Sequence, residues 1–279
     1  MATPRAETRP GRSLGAVVED AITRLIQDAS EYAFIGFVGA TAALFVAAIL
    51  RLTRNPIADA TIAPAVFGIA LLTMAAATIA FARAAQNLHP DAGGAMTLTA
   101  TRAAALLQPW LFLSAAMFAG ALGLGLATRW LGSWSAVGFV LLLVVWPALY
   151  SLPRSYYVAV LLTQQMSDAQ AQAVAGELFR RAPGRVLSAW GLVLAPACAV
   201  ALIGMAAGFG AASAGVTAFV FVALMPVAAA MLTLLFFEAA ELARAQEGAG
   251  RRTATSPPSS ASPAATRLAT RVSRRPHRG

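Results

Sequence analysis

Lysine is absent from this 279-residue chain, and its 21 basic residues are all arginines. Cysteine occurs once, at Cys198, so no disulfide can form within the chain. Histidine occurs only at His89 and His277, and neither has a second ligand at a recognisable spacing. We therefore expect no metal site, no cofactor and no enzymatic activity.

Charged residues are scarce as well. They make up 12% of the chain, whereas 58% of the residues are hydrophobic; a soluble domain has about 25% charged residues. The charges are crowded into short segments that separate long uncharged stretches. This distribution predicts an integral membrane protein, because such long apolar segments are typical of chains that lie mainly in lipid.

Six uncharged stretches approach or exceed the roughly 20 residues that a helix needs to cross the hydrocarbon. They cover residues 33–50, 62–82, 109–127, 134–152, 186–209 and 216–237. Backbone groups in lipid must be hydrogen-bonded internally, so these stretches are predicted to be helices. The expected fold class is all-α, an integral membrane bundle of six transmembrane helices.

The arginines predict the orientation of this bundle. With both termini in the cytoplasm, 18 of the 21 arginines fall in cytoplasmic segments, in agreement with the positive-inside rule. We expect a multi-pass protein of the bacterial cytoplasmic membrane. Its predicted parts are a cytoplasmic N-terminus (1–32), a transmembrane domain (33–245) and a basic tail (246–279) whose Ser- and Pro-rich composition favours disorder.

Three cytoplasmic segments show the pattern of amphipathic helices, at residues 17–31, 95–108 and 169–182. The third opens with Ser167 and Gln170 at the spacing of a capping box. Each segment precedes two membrane stretches, which favours an internal repeat of one amphipathic helix and one helical hairpin, used three times. The alternative is that the segments are only polar extensions of membrane helices.

A resemblance to a known family rests on two motifs, Arg154-Ser-Tyr-Tyr and the later Glu177-Leu-Phe-Arg-Arg-Ala-Pro-Gly-Arg185, followed by a membrane helix. In this respect the chain resembles the glycerophosphoryl diester phosphodiesterase membrane-domain family and related bacterial families, with a similar layout over residues 15–245. The resemblance implies a polytopic membrane domain. Phosphodiesterase chemistry itself needs clustered acidic and histidine ligands, which this sequence does not offer.

The leading functional hypothesis is a non-enzymatic protein that scaffolds or modulates a membrane process through lipids or partners. The expected partners are anionic lipid headgroups, a second membrane protein or another copy of the chain, but not nucleic acid, because no recognition motif accompanies the positive charge. The predicted headgroup contacts are Arg102, Arg180, Arg181 and Arg185.

The alternative hypothesis is a permease for an apolar or amphipathic solute. Pro147, Pro196 and Pro226 fall in the last three predicted spans, and proline kinks can shape a cavity. The predicted lining residues are Tyr150, Ser151, Thr217 and Thr233. Glu238, directly after the last span, is expected to lie at a solvated helix end.

Overall fold

The computed structural model describes residues 13–86, 88–131, 138, 141, 146–164, 166–207 and 211–255. Within these residues every regular element is a helix, and no strand occurs. In chain order the α-helices are α1 Leu14–Gln27, α2 Ala29–Leu52, α3 Pro56–Ala85, α4 Ala92–Thr101, α5 Ala103–Leu107, α6 Leu111–Leu131, α7 Trp146–Ser151, α8 Tyr157–Gln164, α9 Asp168–Arg181, α10 Pro183–Ala206, α11 Ala211–Ala223 and α12 Met225–Thr255. Two 3₁₀ turns, Gln108–Trp110 and Leu152–Arg154, precede α6 and α8.

Five stretches are long and apolar enough to cross a membrane: Ala29–Leu52, Pro56–Ala85, Ala103–Ala127, Pro183–Gly204 and Gly215–Leu242. Each contains most or all of one span predicted from the sequence, so the all-helical class is confirmed and five of the predicted spans correspond to candidate membrane helices. The remaining predicted span, residues 134–152, lies about half outside the described residues, as does most of the predicted disordered tail.

By its internal contacts the chain divides into two units, residues 1–239 and 240–279. The described part of the second unit is helical and ends with α12 at Thr255. Helix therefore extends into the segment, beginning at residue 246, that composition predicted to be disordered.

Helix α3 lies at the centre of the first unit, where it packs against α2, α4, α6, α8 and α11. Of its most apolar stretch 72% is buried, against 17% for the stretch that ends in α6. Lipid is as apolar as leucine, so hydrophobicity does not decide which helix is central. Alanines such as Ala63, Ala70 and Ala77 are buried in α3, and their small side chains let neighbouring backbones approach from several sides.

Two glycines set the closest approaches of α2. A Cβ atom on Gly39 would overlap the Thr73 side chain of α3. A Cβ atom on Gly36 would lie 2.9 Å from the Ala223 carbonyl oxygen, at the end of α11. Both positions therefore require the absence of a side chain, and α2 is held between α3 and the junction of α11 with α12.

This junction divides the last predicted span. Helix α11 ends at Ala223 and α12 begins at Met225, with Pro226 in its first turn. Proline supplies no N–H group to the preceding turn, and the Val227 N–H donates to the Leu224 carbonyl three residues back, at 3.0 Å. Proline thus marks a break between two helices here, whereas Pro196 is accommodated inside α10.

Three short helices start with side-chain caps that explain their boundaries. Ser13 accepts a hydrogen bond from the Ala16 N–H at the start of α1, and Asp91 accepts one from the Gly94 N–H at the start of α4. At α9 Ser167 and Gln170 form the predicted capping box, which is confirmed. Such caps satisfy N–H groups that have no partner within the helix.

Candidate functional site at the arginine-rich end

The short helices α1, α4, α5, α8 and α9 are joined at one end of the bundle, which we call the arginine-rich end. Glu31, at the start of α2, accepts a hydrogen bond from the Ala92 N–H of α4 at 2.9 Å. The Tyr157 hydroxyl of α8 donates to the Ala105 carbonyl of α5 at 3.2 Å. Helix α9 packs against α8 and against the 3₁₀ turn before it.

One corner of this end connects α1, α3 and α4. Arg24 pairs with Asp20 at 3.1 Å within α1, and its guanidinium carbon lies 5.9 Å from the centre of the Phe81 ring. Arg83, near the end of α3, pairs with Asp91 at 3.6 Å. Partly exposed pairs of this kind contribute about 0–1 kcal/mol each, so they orient the corner more than they stabilise it.

A second corner contains a buried ion pair. Arg185, in the first turn of α10, places a guanidinium nitrogen 2.9 Å from a carboxylate oxygen of Glu238 near the middle of α12. The Glu238 side chain is 4% exposed and that of Arg185 27% exposed. The expectation of a solvated Glu238 is therefore wrong, because the tertiary fold brings an arginine from another helix to its carboxylate.

Tyr156 lies close enough to this pair to be affected by its charges. Burial raises the pKa of the Tyr156 hydroxyl well above its ordinary value. The nearby Arg185 guanidinium lowers this pKa and the Glu238 carboxylate raises it, each by less than burial does. Tyr156 therefore stays protonated at neutral pH, and its ring packs beside Phe236 with 6.4 Å between the ring centres.

A buried hydrogen-bonded chain ties α10 to the turn before α8. The Trp190 indole N–H donates to the Ser155 hydroxyl oxygen at 2.8 Å, and the Ser155 hydroxyl donates to the Ser151 carbonyl at 3.1 Å. All three residues are buried. Since an unpaired buried polar group costs about 1–3 kcal/mol, this chain fixes the start of α10 against its neighbour.

The predicted headgroup arginines occupy different environments. Arg180 and Arg181 are exposed and share Glu177, at 3.1 and 3.6 Å, and Arg102 is exposed at the end of α4. Arg185 instead points to Glu238. Lipid contact therefore stays a prediction for all four, and for Arg185 the structure shows a protein partner that the sequence did not suggest.

The residues predicted to line a pathway are largely enclosed. Ser151, Thr217 and Thr233 are buried, and Tyr150 is half-buried. The Thr233 hydroxyl donates to the Ala229 carbonyl of its own helix at 2.6 Å. This hydroxyl is thus directed to its own backbone, as is common for threonine in membrane helices.

Sequence reasoning missed Glu238, Tyr156 and Trp190 as members of one cluster. The available signals were the position of Glu238 directly after an uninterrupted apolar run and the Arg154-Ser-Tyr-Tyr motif, whose serine and first tyrosine belong to the cluster. Neither signal identifies a partner, because Arg185 and Glu238 are distant along the chain.

No group of three or more His, Cys, Asp or Glu side chains within the described ranges is placed to hold a metal ion. Comparisons with protein-family models, with curated proteins and with solved structures give no match for this chain. The resemblance to the glycerophosphoryl diester phosphodiesterase membrane-domain family therefore stays a prediction.

Proposed function

We propose that this chain is a non-enzymatic multi-pass membrane protein that scaffolds or modulates a membrane process by binding anionic lipid headgroups at its arginine-rich end. The observation that carries the proposal is the exposure of Arg180 and Arg181 there, 75% and 42%. On α1, at the same end, Ile22 and Ile26 are exposed apolar side chains one turn apart. Exposed arginines together with exposed aliphatic groups are typical of the boundary between headgroups and acyl chains.

The proposal includes six transmembrane helices in a bacterial cytoplasmic membrane, with both termini inside. The arginine distribution supports this orientation. A reporter that is active only in the cytoplasm should work when it is fused after Gly248, and a signal from an externally active reporter at that position would refute the orientation.

A threefold internal repeat is part of the proposal, and the register of the short helices supports it. The caps Ser13, Asp91 and Ser167 are 78 and 76 residues apart. Buried residues recur at the same two spacings in α1, α4 and α9 and in the membrane helices that follow: Val17, Ala95 and Ala171; Ala21, Thr99 and Ala175; Tyr32, Trp110 and Val186; Ile35, Leu113 and Ala189. A common register of caps and buried faces is expected when one supersecondary unit is repeated.

The repeat explains how the proposed lipid-binding end arises. In each unit a short helix with a small-residue inner face lies against the bundle and leads into a membrane helix. In the proposed repeat, the three short helices carry Arg24, Arg102 and the pair Arg180 and Arg181. The permease alternative has less support, because the Thr233 hydroxyl bonds to its own helix.

The test uses the full-length protein reconstituted in phosphatidylcholine vesicles with a trace of spin-labelled lipid. Immobilisation of labelled phosphatidylglycerol should exceed that of labelled phosphatidylcholine, and salt should reduce the difference. The double variant Arg180→Gln, Arg181→Gln should lose most of the difference, since each arginine contributes about 1 kcal/mol near an anionic surface.

The matched control is Arg51→Gln, Arg54→Gln, which removes the same charge at the opposite end of α2. This control should keep the preference for phosphatidylglycerol. Equal losses in the two double variants would show that only total charge matters and would overturn the proposal.

A further inference from the structure

Two 3₁₀ turns approach each other at the arginine-rich end. Gln108–Trp110 leads into α6 and Leu152–Arg154 precedes α8, each with a proline at its centre. The Arg154 guanidinium carbon lies 4.4 Å from the centre of the Tyr150 ring and 5.9 Å from the ring of Trp110. The turns therefore bring one cation and two aromatic rings together where a membrane helix begins.

Arg154 differs in its partners from three other arginines at this end of the bundle. Arg24, Arg83 and Arg185 each pair with a carboxylate. For the half-buried Arg154, the described residues provide no carboxylate, and its one hydrogen bond is to the Tyr150 carbonyl at 3.5 Å. Ring stacking covers the face of a guanidinium and leaves its N–H edge available to an anion.

Trp110 provides a second unsatisfied donor. The residue is 2% exposed, and its indole nitrogen has no hydrogen-bond partner among the described residues. The ring itself is fixed by edge-on contacts with Phe67 and Tyr150. A buried N–H group without an acceptor costs free energy. The region around Arg154 and Trp110 therefore lacks both a hydrogen-bond acceptor and a negative charge.

We propose that Arg154 and Trp110 form a discrete phosphate-binding site, occupied by the phosphate of an anionic phospholipid at the level of the headgroups. A phosphate accepts two parallel hydrogen bonds from a guanidinium and has further oxygens. Because the indole nitrogen of Trp110 is enclosed, the proposal requires the side chains around it to move apart before it donates to one of these oxygens. Basic sites between membrane helices on the cytoplasmic side are suited to lipid phosphates. This inference rests on the proposed function, to which it adds one stoichiometric site distinct from the exposed arginines.

The test is native mass spectrometry of the delipidated full-length protein, titrated separately with phosphatidylglycerol, phosphatidylcholine and inorganic phosphate. One phosphatidylglycerol should bind with an affinity well above that of later equivalents, and phosphatidylcholine should not compete. Arg154→Gln should weaken the first equivalent about tenfold or more, and Trp110→Phe, which keeps a ring and removes the N–H, by a few-fold. Inorganic phosphate bound with the same dependence on Arg154 would support the site with free phosphate as its occupant.

Two controls make the test specific. Arg51→Gln removes one charge at the other end of α2, and Tyr32→Phe removes a second buried group without a partner, the Tyr32 hydroxyl. Neither should change the first equivalent. If the first phosphatidylglycerol bound with unchanged affinity to both single variants, Arg154→Gln and Trp110→Phe, the proposed site would be overturned. In that case the proposed function could still hold. It would be supported separately if the double variant Arg180→Gln, Arg181→Gln lost the preference for phosphatidylglycerol.

Discussion

Arg185 and Arg180 belong to the same basic segment but end in different regions of the molecule. Helix α9 ends at Arg181 and α10 begins at Pro183, and the backbone of Ala182 between them is not helical. On α9, Arg180 lies 3.1 Å from Glu177, whose side chain is 54% exposed. At the start of α10, Arg185 lies 2.9 Å from Glu238, whose side chain is 4% exposed. The two ion pairs therefore have similar lengths but very different burial, and we expect them to contribute differently to stability.

The same contrast holds for glycine. Gly39 of α2 faces the Thr73 side chain so closely that a Cβ atom does not fit, whereas a Cβ atom on Gly191 of α10 would meet no atom within 4 Å. Both residues lie inside helices of similar hydropathy. Residue type and local sequence thus do not reveal whether a position is in the packed interior or on the outer surface, and paired substitutions can measure the difference.

The largest effect is expected for the two glutamates. Glu238→Gln leaves the Arg185 charge half-buried without its carboxylate, and breaking one side of a buried pair costs about 3–5 kcal/mol. Glu177→Gln should cost about 1 kcal/mol or less, because exposed pairs are screened by solvent. Denaturant unfolding of both variants in detergent tests this, and equal destabilisation would contradict the assignment of Glu238 to the interior.

The glycines should give a smaller difference of opposite sign. Gly39→Ala must displace Thr73 or separate α2 from α3, and overpacking of this kind costs about 1–3 kcal/mol. Gly191→Ala should be neutral or stabilising by up to about 1 kcal/mol, because alanine favours helix and the site is open. Thermal unfolding of the two variants compares them directly. A stabilised Gly39→Ala variant would be inconsistent with the close approach of α2 to α3.

The smallest effect concerns Tyr156 and alkaline pH. Because its pKa is raised in the folded protein, the unfolded chain releases this proton first, from about pH 10 upward. The stabilisation is therefore complete below pH 10 and declines as pH rises, by up to about 1.4 kcal/mol per pH unit for one proton. Unfolding of Tyr156→Phe measured between pH 9 and 11 should show a shallower decline than the unmodified protein, and parallel curves would argue against a buried hydroxyl.

Much of the architecture could be predicted from composition and spacing. Uninterrupted apolar runs predicted the five candidate spans, since length and lack of charge identify a possible membrane helix. The Ser167 and Gln170 pattern predicted the cap of α9, because capping is decided within four residues. The expectation for Glu238 failed because the sequence around it does not contain its partner.

By itself, therefore, the sequence determined which segments are apolar helices, how their ends are capped and where positive charge accumulates. These properties depend on neighbours within a turn or on the solvent that a segment requires. Only the tertiary structure decided that α3 is central, that Gly39 faces Thr73 and that Arg185 reaches Glu238. The physical reason is that exchanging two helices of nearly equal hydropathy between lipid and the interior changes the free energy little. Side-chain shape and pairing between distant residues therefore select the arrangement.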